Sequence, residues 1–343
     1  MKKWYIESGE QGDVVLSTRI RLARNLDAFP FPARLDIQTK KKVAALVRDT
    51  LLPALPELEL QCIEMASLTS AQAVSLAERH LVSPEFTTNR EGRYLLLSAD
   101  ESVSVMLCEE DHIRIQVMQP GLASEQAYAI ADRIDSVLDR ALNYAFDERI
   151  GYLTQCPTNL GTAMRASVML HLPALSAAGR IAGLAATVSK LGLVIRGAYG
   201  EGSASRGDIY QLSNQITLGI TEQVAMDNLR AITLQIVAQE RAAQEQLLQS
   251  EKTLDQLWRA FGILSTARLL SGDEFMERIS LVRMGALRSI YDIPAETINA
   301  LITDMQPATL NASAGKNLTA AQRDAVRAER VRTALCGQGG DSD

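Results

Sequence analysis

The chain has 343 residues, 47% hydrophobic and 22% charged, enough to bury a substantial core and to divide into one large and one smaller domain. With 35 Lys and Arg against 41 Asp and Glu, the formal net charge is -6; the global balance calls for neither direct nucleic-acid binding nor an anionic membrane, and arginine clusters must be judged one by one. Charges interrupt every apolar run before it could span a bilayer, and Met1-Lys2-Lys3-Trp4-Tyr5 has no apolar stretch behind its lysines, so a cytoplasmic protein is expected. Cys62, Cys108, Cys156 and Cys336 lie far apart without a CxxC pair, which argues against a structural zinc site and a disulfide framework.

In chain order, residues 14–16, 58–65, 93–97, 103–107, 113–117, 193–196 and 209–218 read as strands, and 40–52, 70–79, 124–142 and 175–191 as helices. Only the acidic segment Cys108-Glu109-Glu110-Asp111-His112 separates strands 103–107 and 113–117. That spacing suits a hairpin and predicts an α+β fold with a mostly antiparallel sheet flanked by helices. Cys156-Pro157-Thr158-Asn159-Leu160-Gly161-Thr162 reads as a loop leading into a helix that starts near Thr162. Between residues 222 and 264, Ala, Gln, Leu and Glu dominate, and strand signals vanish beyond, so the remainder reads as helical. A boundary near 245–250 separates an α+β domain, 1–245, from an all-helical domain, 246–343, whose tail 337–343 is expected to be disordered.

Arginines occur where a packed α+β domain disfavours them. In Ser17-Thr18-Arg19-Ile20-Arg21-Leu22-Ala23-Arg24, strand alternation puts Arg19 and Arg21 on one face. Arg114 interrupts an Ile-rich strand, Arg165 follows the 156–162 loop, and Arg196 opens the Gly-rich run Gly197-Ala198-Tyr199-Gly200-Glu201-Gly202. Each taken alone is more often a surface or salt-bridged residue. Several converging on one cleft would repel one another without a polyanion between them, and their planar forks match phosphate oxygens. A nucleoside triphosphate fits that description, and neither a Walker A motif nor a kinase-type GxGxxG is present to hold it otherwise. Glu109, Glu110 and Asp111 read either as a solvated acidic turn or, beside a polyphosphate site, as carboxylates that bind a cationic acceptor and take its proton.

Four ordered blocks carry a resemblance: Ser17-Thr18-Arg19-Ile20-Arg21, Glu109-Glu110-Asp111-His112-Ile113-Arg114, the 156–162 loop, and Arg196-Gly197-Ala198-Tyr199-Gly200-Glu201. They resemble the signature segments of the phosphagen (guanidino) kinases. Arg165-Ala166-Ser167-Val168-Met169, His80-Leu81-Val82-Ser83-Pro84 and Arg323-Asp324-Ala325-Val326-Arg327-Ala328 are most similar to that superfamily's bacterial protein-arginine kinase branch. The resemblance covers nearly the whole chain and is weakest over 250–315.

The resemblance implies a guanidino-kinase catalytic fold and transfer of the γ-phosphate of Mg²⁺-ATP to arginine in proteins, a mark for Clp-type proteolysis. Ser17, Thr18, Arg19, Ile20, Arg21, His80, Arg114, the 165–169 block and the 196–201 block would form the nucleotide site. Glu110 would orient and deprotonate the acceptor guanidinium, Glu201 would grip it, and Cys156 would lie beside it, although a structural cysteine is the equal alternative. Arg323 to Ala328 would bind phosphoarginine allosterically; without the likeness they read as an amphipathic surface helix. The likeness also implies a homodimer through the C-terminal helices, a zinc-containing activator protein and a Clp chaperone as partners.

Only 16 residues precede the Ser17 block, where phosphagen kinases of free metabolites carry a helical domain, so an open acceptor pocket is expected. Cys108 stands where the family usually has Asn. A kinase for free arginine or another small guanidino compound, and a catalytically silent phosphoarginine-binding adaptor, are the alternative readings.

Overall fold

The period of two in a strand separates Ile20 and Leu22 from Arg19 and Arg21, and the architecture is built on that separation. The computed structural model describes residues 2–198 and 205–337. Its strands are β1 (Val15–Arg24), β2 (Gln61–Glu64), β3 (Tyr94–Leu97), β4 (Val103–Leu107), β5 (Ile113–Pro120), β6 (Phe146–Asp147), β7 (Gly151–Tyr152), β8 (Met164–His171), β9 (Leu193–Gly197) and β10 (Ile209–Asn214). All but β6 and β7, which form a small hairpin, pair antiparallel in the order β2-β3-β4-β5-β1-β8-β10-β9.

The helices are α1 (Ile37–Ala54), α2 (Ser70–Glu78), α3 (Pro84–Thr88), α4 (Ser124–Ala141), α5 (Pro173–Ala177), α6 (Ile181–Ser189), α7 (Glu222–Leu247), α8 (Glu251–Thr266), α9 (Gly272–Leu287), α10 (Ala295–Asp304), α11 (Pro307–Ala314) and α12 (Ala320–Cys336). After α7, among the described residues, the chain is helical with short connections. No helix among the described residues is long and apolar enough to cross a membrane.

One sheet face carries Ile20 and Leu22 of β1, Ile113, Ile115 and Val117 of β5, and Ala166, Val168 and Leu170 of β8. These pack against α1, α4 and α7 in the main core, where each fully buried aliphatic side chain contributes about 1.5–3 kcal/mol. The opposite face holds two smaller apolar clusters. Met106 and Met118 pack there with Leu76 and Phe86 of α2 and α3, while Met169 and Ile209 pack under the C-terminal helices. The arginines lie between those two clusters.

The antiparallel sheet and the hairpin across 108–112 agree with the sequence reading, and Cys108 N donates to His112 O at 2.9 Å. The helix expected from near Thr162 is instead strand β8, at the centre of the sheet. Its apolar residues fall at 164, 166, 168 and 170, a period of two, and pairing to β1 and β10 overrides the helix-start signal of the preceding loop. The helix expected at 175–191 is broken into α5 and α6 at Gly179, whose φ of +66° is a left-handed conformation that ends a helix. Strand 209–218 stops at Asn214, and 58–65 contributes only Gln61–Glu64 to the sheet. Residues 338–343 of the expected disordered tail lie outside the described residues.

Arg24 shows what alternation does to an arginine of the other parity. It is 2% exposed, donates from Nη2 and Nε to Asp135 at 2.7 and 3.0 Å, and stacks 3.5 Å from the centroid of the Tyr152 ring. Because Arg24 would stay buried without its counter-ion, Asp135→Ala is expected to destabilise the fold by about 3–5 kcal/mol, checked by denaturant unfolding. A loss below about 1 kcal/mol would show the pair to be dispensable.

Candidate active site

Cross-strand register gathers the arginines. Arg21 lies opposite Arg165 on β8 and Gln116 on β5; Arg19 lies opposite Ser167 and Met118; Arg114 faces Ala23; Arg196 pairs with Gln211, which pairs with Met169. Residues directly opposite one another in an antiparallel sheet point to the same side. Arg19, Arg21, Arg114, Arg165 and Arg196 therefore share one face.

Their environments differ. Arg19 donates from Nη2 to Gln211 Oε1 at 2.8 Å, and burial, with Arg114 adding, pushes its pKa down to about 10. Arg21 is pushed well below the usual guanidinium range by burial and then by Arg19, Arg114 and Arg165, with Glu109 opposing, and its Nε is buried without an acceptor. These shifts record burial first and, added to it, like charges held close together with too little negative charge among them. A bound polyanion would supply it. Arg165 is tethered by Asn159 Oδ1 at 3.2 Å, Asn214 O at 2.8 Å, Gln215 O at 2.9 Å and Thr158 O at 3.1 Å, which fastens the 156–162 loop to the sheet. Arg196 is exposed.

The loop needs its glycine. Gly161 has φ +97°, and a Cβ there would meet Thr217 O at 2.2 Å, so no larger residue permits this close approach. Cys156 in the same loop is half-buried, with Sγ 3.1 Å from Thr158 Oγ1. Thr158, its neighbour, accepts from Arg165 through its carbonyl, and the cysteine lies outside the apolar core.

The acidic turn is not a solvated one. Asp111 is fully buried and accepts from Asn25 Nδ2 at 2.7 Å and Gln155 N at 2.9 Å, a structural role. Glu109 is 8% exposed, accepts from Ser83 Oγ and pairs with Arg114 Nη1 at 2.6 Å. Glu110, with its side chain 38% exposed, pairs with Arg114 Nη2 at 2.9 Å. Arg114 thus joins two cavities. One, ≈ 120 Å³, is lined by Arg21, Arg114, Asn159 and Arg165; the other, ≈ 570 Å³ and open, is lined by Lys40, Arg93, Glu109, Glu110 and Gln155. Cys108 begins the turn with φ +60°, a conformation that Asn adopts readily and Cys does not, and its thiol is pushed up to about 12 by burial.

His80 follows α2 with φ +61°, and burial, with Arg19 adding, pushes it down to about 3, so its ring is neutral at physiological pH. Ser17 and Met169 line a cavity with it, whereas Thr18, Ile20, Ala166 and Val168 are on the core face. Gly197 and Ala198 lead out of β9; Tyr199, Gly200 and Glu201 lie outside the described residues. Far from this cleft, Arg327 of α12 is 1% exposed and donates to Met305 O, Leu270 O and Asp324 Oδ1, while half-exposed Arg323 donates to Leu318 O at 2.7 Å. Ala325 and Val326 line a separate groove on α12, and Ala328 is buried. Sequence reasoning missed Gln116 and Gln211, which no motif marks but whose register beside the arginines would have found them, and assigned no role to Asn159 although it lies within the 156–162 block.

Two family models match the chain: ATP:guanido phosphotransferase, C-terminal catalytic domain, over residues 42–243, and Protein-arginine kinase McsB C-terminal domain over 250–341. A protein-arginine kinase of Caldanaerobacter subterraneus subsp. tengcongensis is 44% identical over 94% of this chain and 97% of its own length. Another, from Brevibacillus brevis, is 42% identical over 97% and 94%. Among solved structures, the duplicated taurocyamine kinase of Schistosoma mansoni with bound transition state analog components aligns with a TM-score of 0.61 at 28% identity. That alignment covers 70% of this chain but only 35% of the longer duplicated enzyme. A lombricine kinase, at 24% identity and TM-score 0.58 over 68% of each chain, shares the fold. By these matches the chain belongs to the ATP:guanido phosphotransferase family, among its protein-arginine kinases.

Proposed function

We propose that the protein transfers the γ-phosphate of ATP to the guanidinium group of arginine in other proteins. The observation that carries this reading is Arg114, which links the arginine row to a half-exposed carboxylate at the mouth of an open basin. Arg19, Arg21, Arg114, Arg165 and Arg196 hold the phosphates, donating charge-assisted hydrogen bonds where negative charge grows during transfer. Bound Mg²⁺, carried in on the nucleotide, would neutralise β- and γ-oxygens; the chain's own part is to fix those oxygens.

Glu110 already holds a guanidinium, that of Arg114, at 2.9 Å, so its geometry suits the acceptor's. A guanidinium has no free lone pair until it loses a proton. In the proposed step Glu110 takes that proton, the freed nitrogen forms the N–P bond, the bond from Pγ to the β,γ-bridging oxygen breaks, and ADP leaves with the electron pair. Buried Glu109, paired to Arg114 and Ser83, orients this arrangement, and Cys156 borders it. The ≈ 570 Å³ basin is open enough for a side chain presented on a polypeptide, which supports protein arginine over a free guanidino metabolite.

The same reading, extended by the family likeness, makes the product a mark for Clp-type proteolysis in the cytoplasm. It includes a zinc-containing activator protein and a homodimer through the C-terminal helices, where Trp258 and Leu269 are exposed. Allosteric phosphoarginine binding at Arg323-Asp324-Ala325-Val326-Arg327-Ala328 would begin at half-exposed Arg323, because Arg327 is committed to interior carbonyls.

Incubated with Mg²⁺-ATP and either an unfolded arginine-rich protein or free arginine, the enzyme is expected to form acid-labile, arginine-linked phosphate on the protein alone, read by mass spectrometry at neutral pH. Label on free arginine alone would overturn the assigned acceptor. Glu110→Gln should lower kcat by about 10²–10⁴-fold with ATP affinity retained; near-normal turnover would remove Glu110 from the role of base. Arg21→Ala should weaken ATP binding about tenfold or more while leaving the melting temperature equal or higher, because it relieves charge crowding. A large drop in melting temperature would mark Arg21 as structural.

A further inference from the structure

Exposed apolar side chains are not spread evenly over the surface. Of the twelve large hydrophobic residues that stand exposed among the described residues, Phe146, Ile150, Leu191, Ile216, Leu218 and Val224 belong to one neighbourhood. The backbone joins them. Phe146 of β6 pairs with Tyr152 of β7, their rings 5.2 Å apart, and Tyr152 N donates to Gly161 O while Gly161 N donates to Ile150 O. Gly161 in turn lies against Leu218, whose Cα a Cβ at position 161 would meet at 2.7 Å. Ile216 and Leu218, each 51% exposed, flank buried Thr217, whose Oγ1 donates to Thr158 O and Leu160 O, so this stretch turns its polar residue inward and its two aliphatic ones to solvent. Ile216 also lies against Gly192, next to Leu191, and Asn228 Nδ2, one turn after Val224 on α7, donates to Leu191 O.

A single exposed aliphatic residue needs no partner, whereas a contiguous group of them marks a surface that another molecule covers. Its place names the occupant. Gln155, which lines the open ≈ 570 Å³ basin with Glu110, leads directly into the 156–162 loop, and that loop reaches the patch through Gly161. Gln155 and Gly161 are six residues apart in sequence, hence at most about 20 Å apart in space. An extended chain covers that span in about six residues. The acceptor of a protein-arginine kinase is one residue of a polypeptide, whose neighbours must lie along the rim of the basin. Elsewhere that rim carries Lys40, Glu85, Asn89 and Arg93, which are charged or polar; toward the patch it is apolar. We propose that the patch is a docking subsite for apolar side chains within about six residues of the target arginine, in an extended, unfolded segment of the substrate. The inference rests on the protein-arginine reading given above.

A folded protein keeps most of its large aliphatic and aromatic side chains inside, so an arginine whose apolar neighbours are free to dock belongs chiefly to a chain that has lost its fold. The patch reads that context, while the basin reads the guanidinium. A second copy seated on the same surface would cover the rim and bar polypeptides from the basin, which favours a substrate segment as occupant. Docking away from the reacting atoms is felt equally in the bound substrate and in the transition state, so it lowers KM and leaves kcat alone.

Two unstructured peptides test this with the full-length protein and Mg²⁺-ATP: both carry one Arg, and at three to six residues on either side one carries Leu and Phe where the other carries Ser. Wild type is expected to show a KM about tenfold lower for the apolar peptide at equal kcat, a difference that burial of on the order of 60 Å² of apolar surface supplies. The double variant Ile216→Ser/Leu218→Ser should treat both peptides as wild type treats the Ser peptide, which also reports an intact fold and active site. If that variant fails on the Ser peptide, Phe146→Ser is read in the same way. Equal KM values in wild type, or a preference that survives in an active variant, overturns the inference alone. A preference that survives while light scattering shows the variant's oligomeric state to have changed assigns the patch to a second copy and overturns it as well. Failure of wild type to phosphorylate either peptide overturns the protein-arginine reading with it.

Discussion

Like-charged guanidinium groups held on one sheet face repel one another, and the rest of this structure is organised around sustaining that repulsion until a polyanion relieves it. Burial depresses the protonation of Arg19 and Arg21, and neighbouring charge adds to it, from Arg114 at Arg19 and from Arg19, Arg114 and Arg165 at Arg21. The free energy to hold them comes from the other face of the same strands, where Ile20, Leu22, Ile115 and Val168 are buried against α1, α4 and α7. Because side chains alternate, β1 cannot slip by one residue to separate the charges without sending its aliphatic residues out of the core. The strain at the site is thus locked in by packing on the opposite side.

Two apolar clusters frame this charged strip. One is built on α2 and α3, which end or begin beside His80 and Ser83; the other is built on the C-terminal helices and Met169. Each cluster places a polar residue at the strip's margin: Ser83 on Glu109 at one border, Asn299 and Thr303 over Ser17 at another. The C-terminal helices are therefore continuous with the catalytic face through packing, as well as through Arg283, which donates to Gly12 O at 2.7 Å and Asp13 O at 2.9 Å.

Much of this was legible in the sequence because its signals are local. Alternation in 17–24 and the turn-length acidic segment at 108–112 gave the antiparallel sheet and the shared face of Arg19 and Arg21. What escaped depends on partners distant in the chain. Strand β8 was read as a helix because the preceding Pro, Asn and Gly imitate a helix start, while the pairing that makes it a strand comes from β1 and β10. The acidic turn divides into a buried anchor, a buried partner and a half-exposed carboxylate, a division set by Asn25, Ser83 and Arg114 and invisible in three consecutive acidic letters. The inward turn of Arg327 likewise depends on carbonyls of Leu270 and Met305.

The ion pair between Arg114 and Glu110 has a consequence for economy of ATP. In the free protein the carboxylate proposed as base is engaged by an internal guanidinium that chemically mimics the acceptor. Water, which carries no positive charge, competes poorly for that carboxylate, whereas an incoming arginine offers the same planar fork and exchanges with Arg114 at little electrostatic cost. The Nη2 of Arg114 released in this way, with Nη1 still held by Glu109, could then donate to the phosphates. On the proposed mechanism, idle hydrolysis would be restrained and transfer made conditional on a cationic guest, with one side chain serving as both plug and clamp.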